Sequence, residues 1–305
     1  MPTASPTLCL TTSSSRHSTR HSESGQLCGT GRIWTSLGQK APREQCSSCR
    51  VGKLGIKIAT VFPGNAAKGM SAVYASYFLM DAGTGEPIAI MDGTGLTLRR
   101  TAAASALAST YLSRSDSSSL LMVGTGRLAP HLIAAHASAR PIDTVIIWGR
   151  REEAAIALKS KLSEAPYQVV VMTDLEVAVD RADIISCATL TREPLVEGDW
   201  LQEGQHLDLV GAFKPDMRET DSIAVSRANV FVDTVAGALS EAGDILQAIE
   251  ERAIKRTDIK NDLEKLARGR CQGRTSDESI TLFKSVGTAL EDLAAAELVM
   301  RNVSE

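Results

Sequence analysis

The chain has 305 residues, with 33 lysines and arginines against 36 acidic residues, and a formal net charge of −3. This balance excludes the strongly basic surface that nucleic acids and anionic membranes attract, and no apolar run is long enough to span a bilayer. Six cysteines are too few for a disulfide framework at this length. We therefore expect a reduced, cytoplasmic protein of one large or two ordinary domains, with no nucleic-acid or membrane partner.

Residues 1–50 differ in composition from the rest of the chain. They are rich in Ser, Thr, Arg and Cys and contain no Val and no Asp. Such a stretch buries too little apolar surface to offset its ordering entropy, so we predict a disordered or spurious N-terminal segment. Cys46 and Cys49 have the spacing of a metal or redox site, but no second pair follows at a useful distance, and we expect no metal site.

The next region predicts a small sheet followed by a helix. Alternating apolar residues predict strands over 55–62, 73–80 and 87–91, with turns over 81–85 and 92–95. An alanine-rich stretch over 98–111 predicts a helix, and the serine-rich residues 113–119 indicate a linker. A second alanine-rich helix is predicted over 288–300, so we expect the chain to leave this first domain and return to it.

A glycine turn between two predicted strands is the strongest motif of the chain. The apolar run 120–123 predicts a buried strand, and Gly124-x-Gly126-x-x-Ala129 leads into a helix that is followed by a strand over 144–148. This order is typical of dinucleotide-binding proteins, in which the turn brings the pyrophosphate to a helix N-terminus. The predicted cofactor-binding residues of the turn are Gly124, Thr125, Gly126, Arg127, Leu128 and Ala129.

The end of the second strand favours a phosphorylated cofactor. An NAD site usually places an acid there, whereas this chain has Arg150 and Arg151. A guanidinium suits a 2′-phosphate, so we predict NADPH, with NADH as a possible substitute. The alternative is that both arginines belong to a solvated helix start beside Glu152 and Glu153.

The remaining chain alternates strands with helices. Further strands are predicted over 168–172, 183–188, 206–210 and 230–233, and Asp174 is predicted to cap the helix 175–181. The pattern predicts an α/β fold, a doubly wound parallel (Rossmann-type) sheet, joined to a smaller α+β domain built from both chain ends. Because ligands bind at the carboxyl ends of such strands, Thr189, Gly211 and Ala212 are predicted to face the cofactor.

The predicted domain bounds are 114–284 for the dinucleotide-binding domain, and 51–113 with 285–305 for the smaller domain. In the smaller domain, Lys57 stands within an apolar strand and Arg100 begins the alanine-rich helix. Together they could hold a carboxylate. Lys57 could equally lie on a solvated face, and Arg100 could form a surface salt bridge. His131 and His136 lack metal-ligand spacing and are interpreted as packing or surface residues.

Several motifs in order resemble the ornithine cyclodeaminase/mu-crystallin family over about residues 55–303. They include the strand around Lys57, the glycine turn, and the segments 98–105, 207–219 and 282–294. The resemblance implies a homodimer of two-domain subunits in which the smaller domain, 51–113 with 285–305, serves substrate binding and dimerisation. It also implies that Lys57 and Arg100 bind the substrate carboxylate, and Lys57 is the predicted catalytic residue. Ser285, within the last segment, completes the predicted cofactor-binding residues.

Two departures narrow the expected activity. Cyclodeaminases carry an Asp after two glycines in a loop where this chain has Gly211-Ala212-Phe213, and Phe213 cannot act on an amine. Residues 1–50 do not resemble the family's N-terminal strands. The Phe213 loop, together with Arg150 and Arg151, resembles the Δ1-pyrroline-2-carboxylate/ketimine reductase branch, with Phe213 as an apolar wall of the substrate site. Alternatives are ornithine cyclodeamination, amino-acid dehydrogenation and a non-catalytic, NADPH-binding protein like mu-crystallin.

Overall fold

The computed structural model describes residues 30–36, 52–62, 65, 70 and 73–304, and the pair Cys46 and Cys49 lies outside them. The chain divides into two compact units, one of residues 1–97 with 289–305 and the other of residues 98–288. Within the described ranges, no helix is both long and apolar enough to cross a membrane.

The first unit contains an antiparallel four-stranded sheet and a C-terminal helix. Its strands pair in chain order: β1 (Thr30–Ser36), β2 (Lys53–Val61), β3 (Val73–Asp81) and β4 (Pro87–Asp92). The first turn of α1 (Gly93–Leu112) and all of α9 (Ala289–Ser304) belong to the same unit. A buried cluster joins sheet and helices through Tyr77, Leu79, Leu96, Leu293 and Ala296.

Strand β1 lies in the segment for which the sequence predicts no regular structure. It pairs with β2 along its full length, from Thr30 opposite Val61 to Ser36 opposite Gly55. Backbone pairing places no requirement on side-chain order, so a strand whose residues do not alternate leaves no signal that a sequence pattern can detect.

Helix α1 begins at Gly93, five residues before the predicted start, where the sequence indicates a turn. The Asp92 carboxylate accepts a hydrogen bond from the Thr94 N–H at 2.9 Å, which satisfies a donor of the first helical turn. A Cβ atom at Gly93 would lie 2.9 Å from backbone carbons of Ala75 and Ser76. The glycine therefore reflects close packing against β3 rather than a turn.

The second unit contains a parallel sheet of seven strands with helices on both faces. The strands are β5 (Ser119–Val123), β6 (Thr144–Trp148), β7 (Gln168–Val171), β8 (Ile184–Cys187), β9 (His206–Leu209), β10 (Asn229–Val232) and β11 (Thr281–Lys284). The helices are the rest of α1, α2 (Ala129–Ala139), α3 (Glu152–Lys161), α4 (Leu175–Asp180), α5 (Ser222–Arg227), α6 (Val235–Glu241), α7 (Gly243–Glu250) and α8 (Leu263–Ala267).

The strand order, β10-β11-β9-β8-β5-β6-β7, confirms the predicted doubly wound fold. The chain passes from β5 to β6 and β7 on one side, and then returns to β8 and β9 on the other. Leu120 and Met122 of β5 pack in one buried cluster, and the alternate residues Leu121 and Val123 pack in another, so both faces of the sheet are covered. The direction of winding reverses between β5 and β8, where such sheets bind ligands.

Strand β11 is the seventh strand of a sheet for which the sequence predicts six. It lies between β9 and β10, and all four of its residues are buried. The predicted boundary after residue 284 would end the domain at this strand, whereas the compact unit continues to Thr288. The short apolar run that starts at Ile280 was the available signal, but its length alone does not separate a strand from a helix start.

Candidate active site

The residues that follow β5, β8, β9 and β11 lie side by side at one edge of the parallel sheet, which we call the carboxyl edge. The Ala188 N–H donates to the Val123 carbonyl at 3.0 Å, and the Val210 N–H donates to Cys187 at 2.9 Å. The Ser285 N–H continues the row by donating to Leu209 at 3.0 Å. This row brings together predicted cofactor-binding residues from four loops: Gly124, Thr189, Gly211, Ala212 and Ser285.

The glycine turn has the shape that a dinucleotide pyrophosphate needs. Gly124 has a φ of 119°, and a Cβ atom there would lie 2.8 Å from the Ala188 carbonyl oxygen. At Gly126, by contrast, no atom of the described residues lies within 4 Å of a Cβ position. Helix α2 starts three residues later, but its Ala129 N–H donates to the Gly126 carbonyl at 3.1 Å and Pro130 has no N–H, so the open approach lies at Gly126 in the turn. The glycine turn from Gly124 to Gly126 therefore fits the pyrophosphate of a dinucleotide cofactor.

The loop after β6 contacts the glycine turn. A Cβ atom at Gly149 would lie 2.8 Å from the methyl carbon of Thr125. Arg150 and Arg151 follow directly, and both side chains are exposed. Arg151 is also the N-cap of α3, whose first turn contains Glu152 and Glu153. The geometry accommodates both interpretations of these arginines.

A buried glutamate that the sequence did not predict joins two loops of the carboxyl edge. Glu219 Oε1 accepts hydrogen bonds from the Thr189 N–H at 2.6 Å and from the Thr189 hydroxyl at 2.8 Å. Its other oxygen, Oε2, accepts from the Gly211 N–H at 2.7 Å and the Ala212 N–H at 3.3 Å. One carboxylate thus holds the backbone of both loops, the one after β8 and the one after β9.

Two further buried charges accompany Glu219. Lys284 Nζ, at the end of β11, lies 2.9 Å from Asp244 Oδ2 and 3.9 Å from Glu219 Oε2. Asp244 Oδ1 accepts from the backbone N–H groups of Glu219 at 2.6 Å and Thr220 at 3.1 Å. Burial raises the pKa of Glu219, and the Lys284 ammonium opposes that rise. A lysine inside an apolar strand was the one signal of this network in the sequence.

Arg100 lies beside the loop that follows β11. Asp233 Oδ2 orders this loop by accepting from the N–H groups of Val286 at 2.7 Å and Gly287 at 2.6 Å. Gly287 has a φ of 87°, and a Cβ atom there would lie 2.5 Å from both terminal nitrogens of Arg100. Only glycine leaves room for the guanidinium at this position, which places Arg100 at the carboxyl edge.

Lys57 is in the first unit and is buried rather than solvated, with 7% of its surface exposed. Its Nζ atom lies 2.6 Å from Asp292 Oδ2 of α9, and this aspartate is buried as well. The interpretation of Lys57 as part of a solvated face is therefore wrong. Asp292 was not predicted, since 235 positions separate the two residues and only the fold brings them together.

Phe213 follows Gly211 and Ala212 in the loop after β9, and 38% of its surface is exposed. Its backbone N–H donates to the Gly211 carbonyl at 2.9 Å, which turns the loop tightly. The loop therefore presents an aromatic ring, and residues 211–213 contain no group that can exchange a proton.

His136 and His206 are buried in the second unit, which confirms the interpretation of His136 as a packing residue. His136 Nε2 lies 3.1 Å from Asp208 Oδ2, and His206 Nδ1 lies 2.9 Å from the Thr281 hydroxyl. Burial lowers the pKa of His206 to about 3, so this imidazole is neutral at physiological pH. His131 is half-buried near the start of α2.

Comparisons with known proteins agree with this architecture. The model of the ornithine cyclodeaminase/mu-crystallin family matches residues 46–305. A Δ1-pyrroline-2-carboxylate reductase of Colwellia psychrerythraea is 40% identical over 255 residues, which cover 83% of this chain and 81% of the relative.

Two solved structures share the fold. The Δ1-pyrroline-2-carboxylate reductase of Thermococcus litoralis, in complex with NADH and L-proline, has a TM-score of 0.78 and 36% identity, covering 80% of this chain and 76% of that one. An archaeal alanine dehydrogenase dimer with bound NAD has a TM-score of 0.78 and 33% identity, covering 83% and 78%. Family match, identity and fold together show that the chain belongs to the ornithine cyclodeaminase/mu-crystallin family.

Proposed function

We propose that this chain is an oxidoreductase that acts on a C=N bond and uses a nicotinamide cofactor. Its substrate would be a cyclic imine carboxylate, Δ1-pyrroline-2-carboxylate or Δ1-piperideine-2-carboxylate, and its product proline or pipecolate. The observation that carries the proposal is the loop after β9, which offers the exposed ring of Phe213 where a deaminating site needs an acid. The relative from Colwellia psychrerythraea and the neighbour from Thermococcus litoralis bear the name of this reductase.

The proposed roles of the residues follow from charge and burial. Lys57 and Arg100 would bind the substrate carboxylate, Arg100 with the bidentate geometry of a guanidinium. Lys57 is the residue that we assign to catalysis, and its Nζ atom lies 2.6 Å from the buried Asp292 carboxylate. Phe213 would pack against the ring and exclude water. The bound nicotinamide supplies the hydride, so the protein's task is to orient a substrate that is already electrophilic.

The direct test is the loss of NADPH absorbance with each cyclic imine as substrate. We expect turnover with at least one of the two rings. Lys57→Ala is expected to raise KM strongly by removing a carboxylate partner, whereas Lys159→Ala, on the exposed face of α3, should leave KM unchanged. An unchanged KM for Lys57→Ala would remove this residue from the site, and no turnover with either ring would contradict the proposed reaction.

We further propose NADPH as the preferred cofactor. Arg150 and Arg151 follow β6 and are exposed, so they can reach a 2′-phosphate. Replacing both with alanine is expected to raise KM for NADPH by about tenfold or more, which corresponds to losing about 1.4 kcal/mol of binding. KM for NADH should change little. Equal effects on both cofactors, or a preference of the wild-type protein for NADH, would contradict this assignment.

A second reaction is favoured by the neighbour named alanine dehydrogenase, whose similarity to this chain is comparable. An open-chain keto acid with ammonia would then replace the cyclic imine as substrate. NADH or NADPH oxidation with pyruvate and ammonia, but not with either ring, would identify it. That neighbour is a dimer, which also supports a homodimer here, and light scattering on the purified protein would test it.

A further inference from the structure

The loops that follow β8 and β9 are joined through one side chain. Thr189 belongs to the first loop and donates twice to Glu219 Oε1, while Gly211 and Ala212 belong to the second and donate to Oε2. Each oxygen of the carboxylate thus serves a different loop. The distance between these two stretches of backbone depends on the position of Glu219.

We propose that Glu219 is a positioning residue for the dinucleotide cofactor, because its carboxylate sets the spacing of the two loops that face this cofactor. The inference rests on the proposed function, in which Thr189, Gly211 and Ala212 contact the nicotinamide cofactor. Glu219 itself is fully buried and would not touch the cofactor. It acts by holding backbone groups that do.

The chemistry of the site requires a carboxylate at this position. Four donors converge on two oxygens, and a carboxylate can accept all of them without presenting a donor of its own. A glutamine would offer one oxygen and an NH2 group, so one loop would face a donor instead of an acceptor. Gly211 is equally constrained, since a Cβ atom there would collide with Glu219 Oε1 and with the Thr189 backbone.

The position of Glu219 is itself fixed from helix α7. Asp244, in the first turn of this helix, accepts from the Glu219 N–H at 2.6 Å, so one end of the glutamate is tied to α7 and the other to the loops. Lys284 Nζ lies 2.9 Å from Asp244 Oδ2 and balances part of the negative charge. Three buried ionisable groups thus surround this stretch of backbone. Burying them has a desolvation cost that packing alone does not require, which favours a role in positioning the backbone.

The opposite edge of the same sheet provides a matched control. Asp183 accepts from the N–H groups of Ser118 at 2.9 Å and Ser119 at 3.0 Å, and from the Ser119 hydroxyl at 2.8 Å. It therefore ties the starts of β5 and β8 as Glu219 ties the loops after β8 and β9. Because these strand starts lie far from the carboxyl edge, Asp183→Asn should affect stability without affecting the cofactor.

The test compares Glu219→Gln with Asp183→Asn in the intact protein. Dissociation constants for NADPH and NADH would be measured by nucleotide fluorescence, and amide hydrogen exchange would be measured without cofactor. We expect Glu219→Gln to raise the dissociation constant by about tenfold or more, as loss of a charge-assisted hydrogen bond implies. Exchange should accelerate at Thr189 or Gly211. Asp183→Asn should leave the dissociation constant unchanged.

Wild-type affinity and wild-type exchange in Glu219→Gln would overturn the inference while leaving the proposed function intact. No binding of either nucleotide by the wild-type protein would overturn the proposed function and the inference with it. If Glu219→Gln does not fold, Thr189→Val and Thr189→Ser form a second pair. Valine removes the 2.8 Å hydroxyl bond and should weaken binding several-fold, whereas serine keeps it and should restore binding. Equal affinity of these two variants would also overturn the inference.

Discussion

The two edges of the parallel sheet are each tied by one carboxylate, and the two carboxylates sit in different surroundings. Asp183, at the amino edge, is partly exposed and pairs with Arg114 at 2.6 Å. Glu219, at the carboxyl edge, is fully buried and shares Lys284 with a second acid, Asp244. Both carboxylates accept hydrogen bonds from backbone N–H groups, Asp183 near solvent and Glu219 in the interior.

The pKa shifts of the two acids have opposite signs. Burial raises the pKa of Asp183, but hydrogen bonds from Ser118 and Ser119 outweigh it and hold the pKa below 3.8. At Glu219 burial prevails and the pKa is raised, although Lys284 opposes it. The ionised amino-edge acid thus stabilises the fold, while the ionised carboxyl-edge acid costs stability. That contrast is typical of a structural site beside a functional one.

The largest expected effect comes from Lys284→Met. Removing the ammonium leaves Glu219 and Asp244 as two buried acids without their shared cation, and breaking such a buried pair costs about 3–5 kcal/mol of unfolding free energy. Urea denaturation would measure the change. The exposed Lys159→Met is the control, with an expected change within about 0.5 kcal/mol. Equal stability of the two variants would mean that charge does not hold the carboxyl edge together.

A pair of glycine variants separates packing from binding at the same edge. Gly211→Ala is expected to lower the unfolding free energy by about 1–3 kcal/mol, because its methyl group would collide with Glu219 and Thr189. Gly126→Ala enters space that the described residues leave open within 4 Å, so stability should stay within about 0.5–1 kcal/mol. Its cofactor affinity should fall, as nucleotide titration would measure. Wild-type stability of Gly211→Ala would contradict the close packing of Gly211 against Glu219 and Thr189.

The smallest expected effect is that of Asp183→Asn. The serine donors all use Oδ2 and Arg114 uses Oδ1, so the single oxygen of an asparagine can serve only one of these two sets, and we expect a loss of about 0.5–1.5 kcal/mol at neutral pH. Because the folded pKa lies below 3.8, the contribution of Asp183 is present above that pH and is lost as pH falls through the folded pKa. Denaturation of both proteins from pH 7 to pH 3 would reveal it. If the difference in unfolding free energy between the wild type and Asp183→Asn persisted at pH 3, the charge of Asp183 would not be its cause.

Local elements of the fold could be predicted because their signals are local. Strand β6 coincides with the predicted bounds 144–148, and Asp174 caps α4 by accepting from the Val177 N–H at 3.1 Å. The glycine turn is also recognisable from a few adjacent residues, because the tight turn itself needs a positive φ at Gly124.

The partners of the buried charges could not be predicted in the same way. Glu219 meets Lys284 only because β11 is placed beside β9, and Lys57 meets Asp292 only because α9 packs in the first unit. Strand order and helix docking decide these pairs, and neither leaves a periodic trace in the sequence. Sequence patterns therefore identified Lys57 as a charge within an apolar strand, with burial and solvent exposure as equal alternatives, but they did not identify the acid that compensates it.

The position of β11 has a consequence for synthesis of the chain. This strand fills the gap between β9 and β10, yet it is translated after both, so the sheet cannot close until residue 284 has left the ribosome. A chain that stops before residue 281 would expose two unpaired strand edges, which promote aggregation. We expect such a truncation to be digested rapidly by protease, whereas a chain ending at residue 288 keeps the whole second unit.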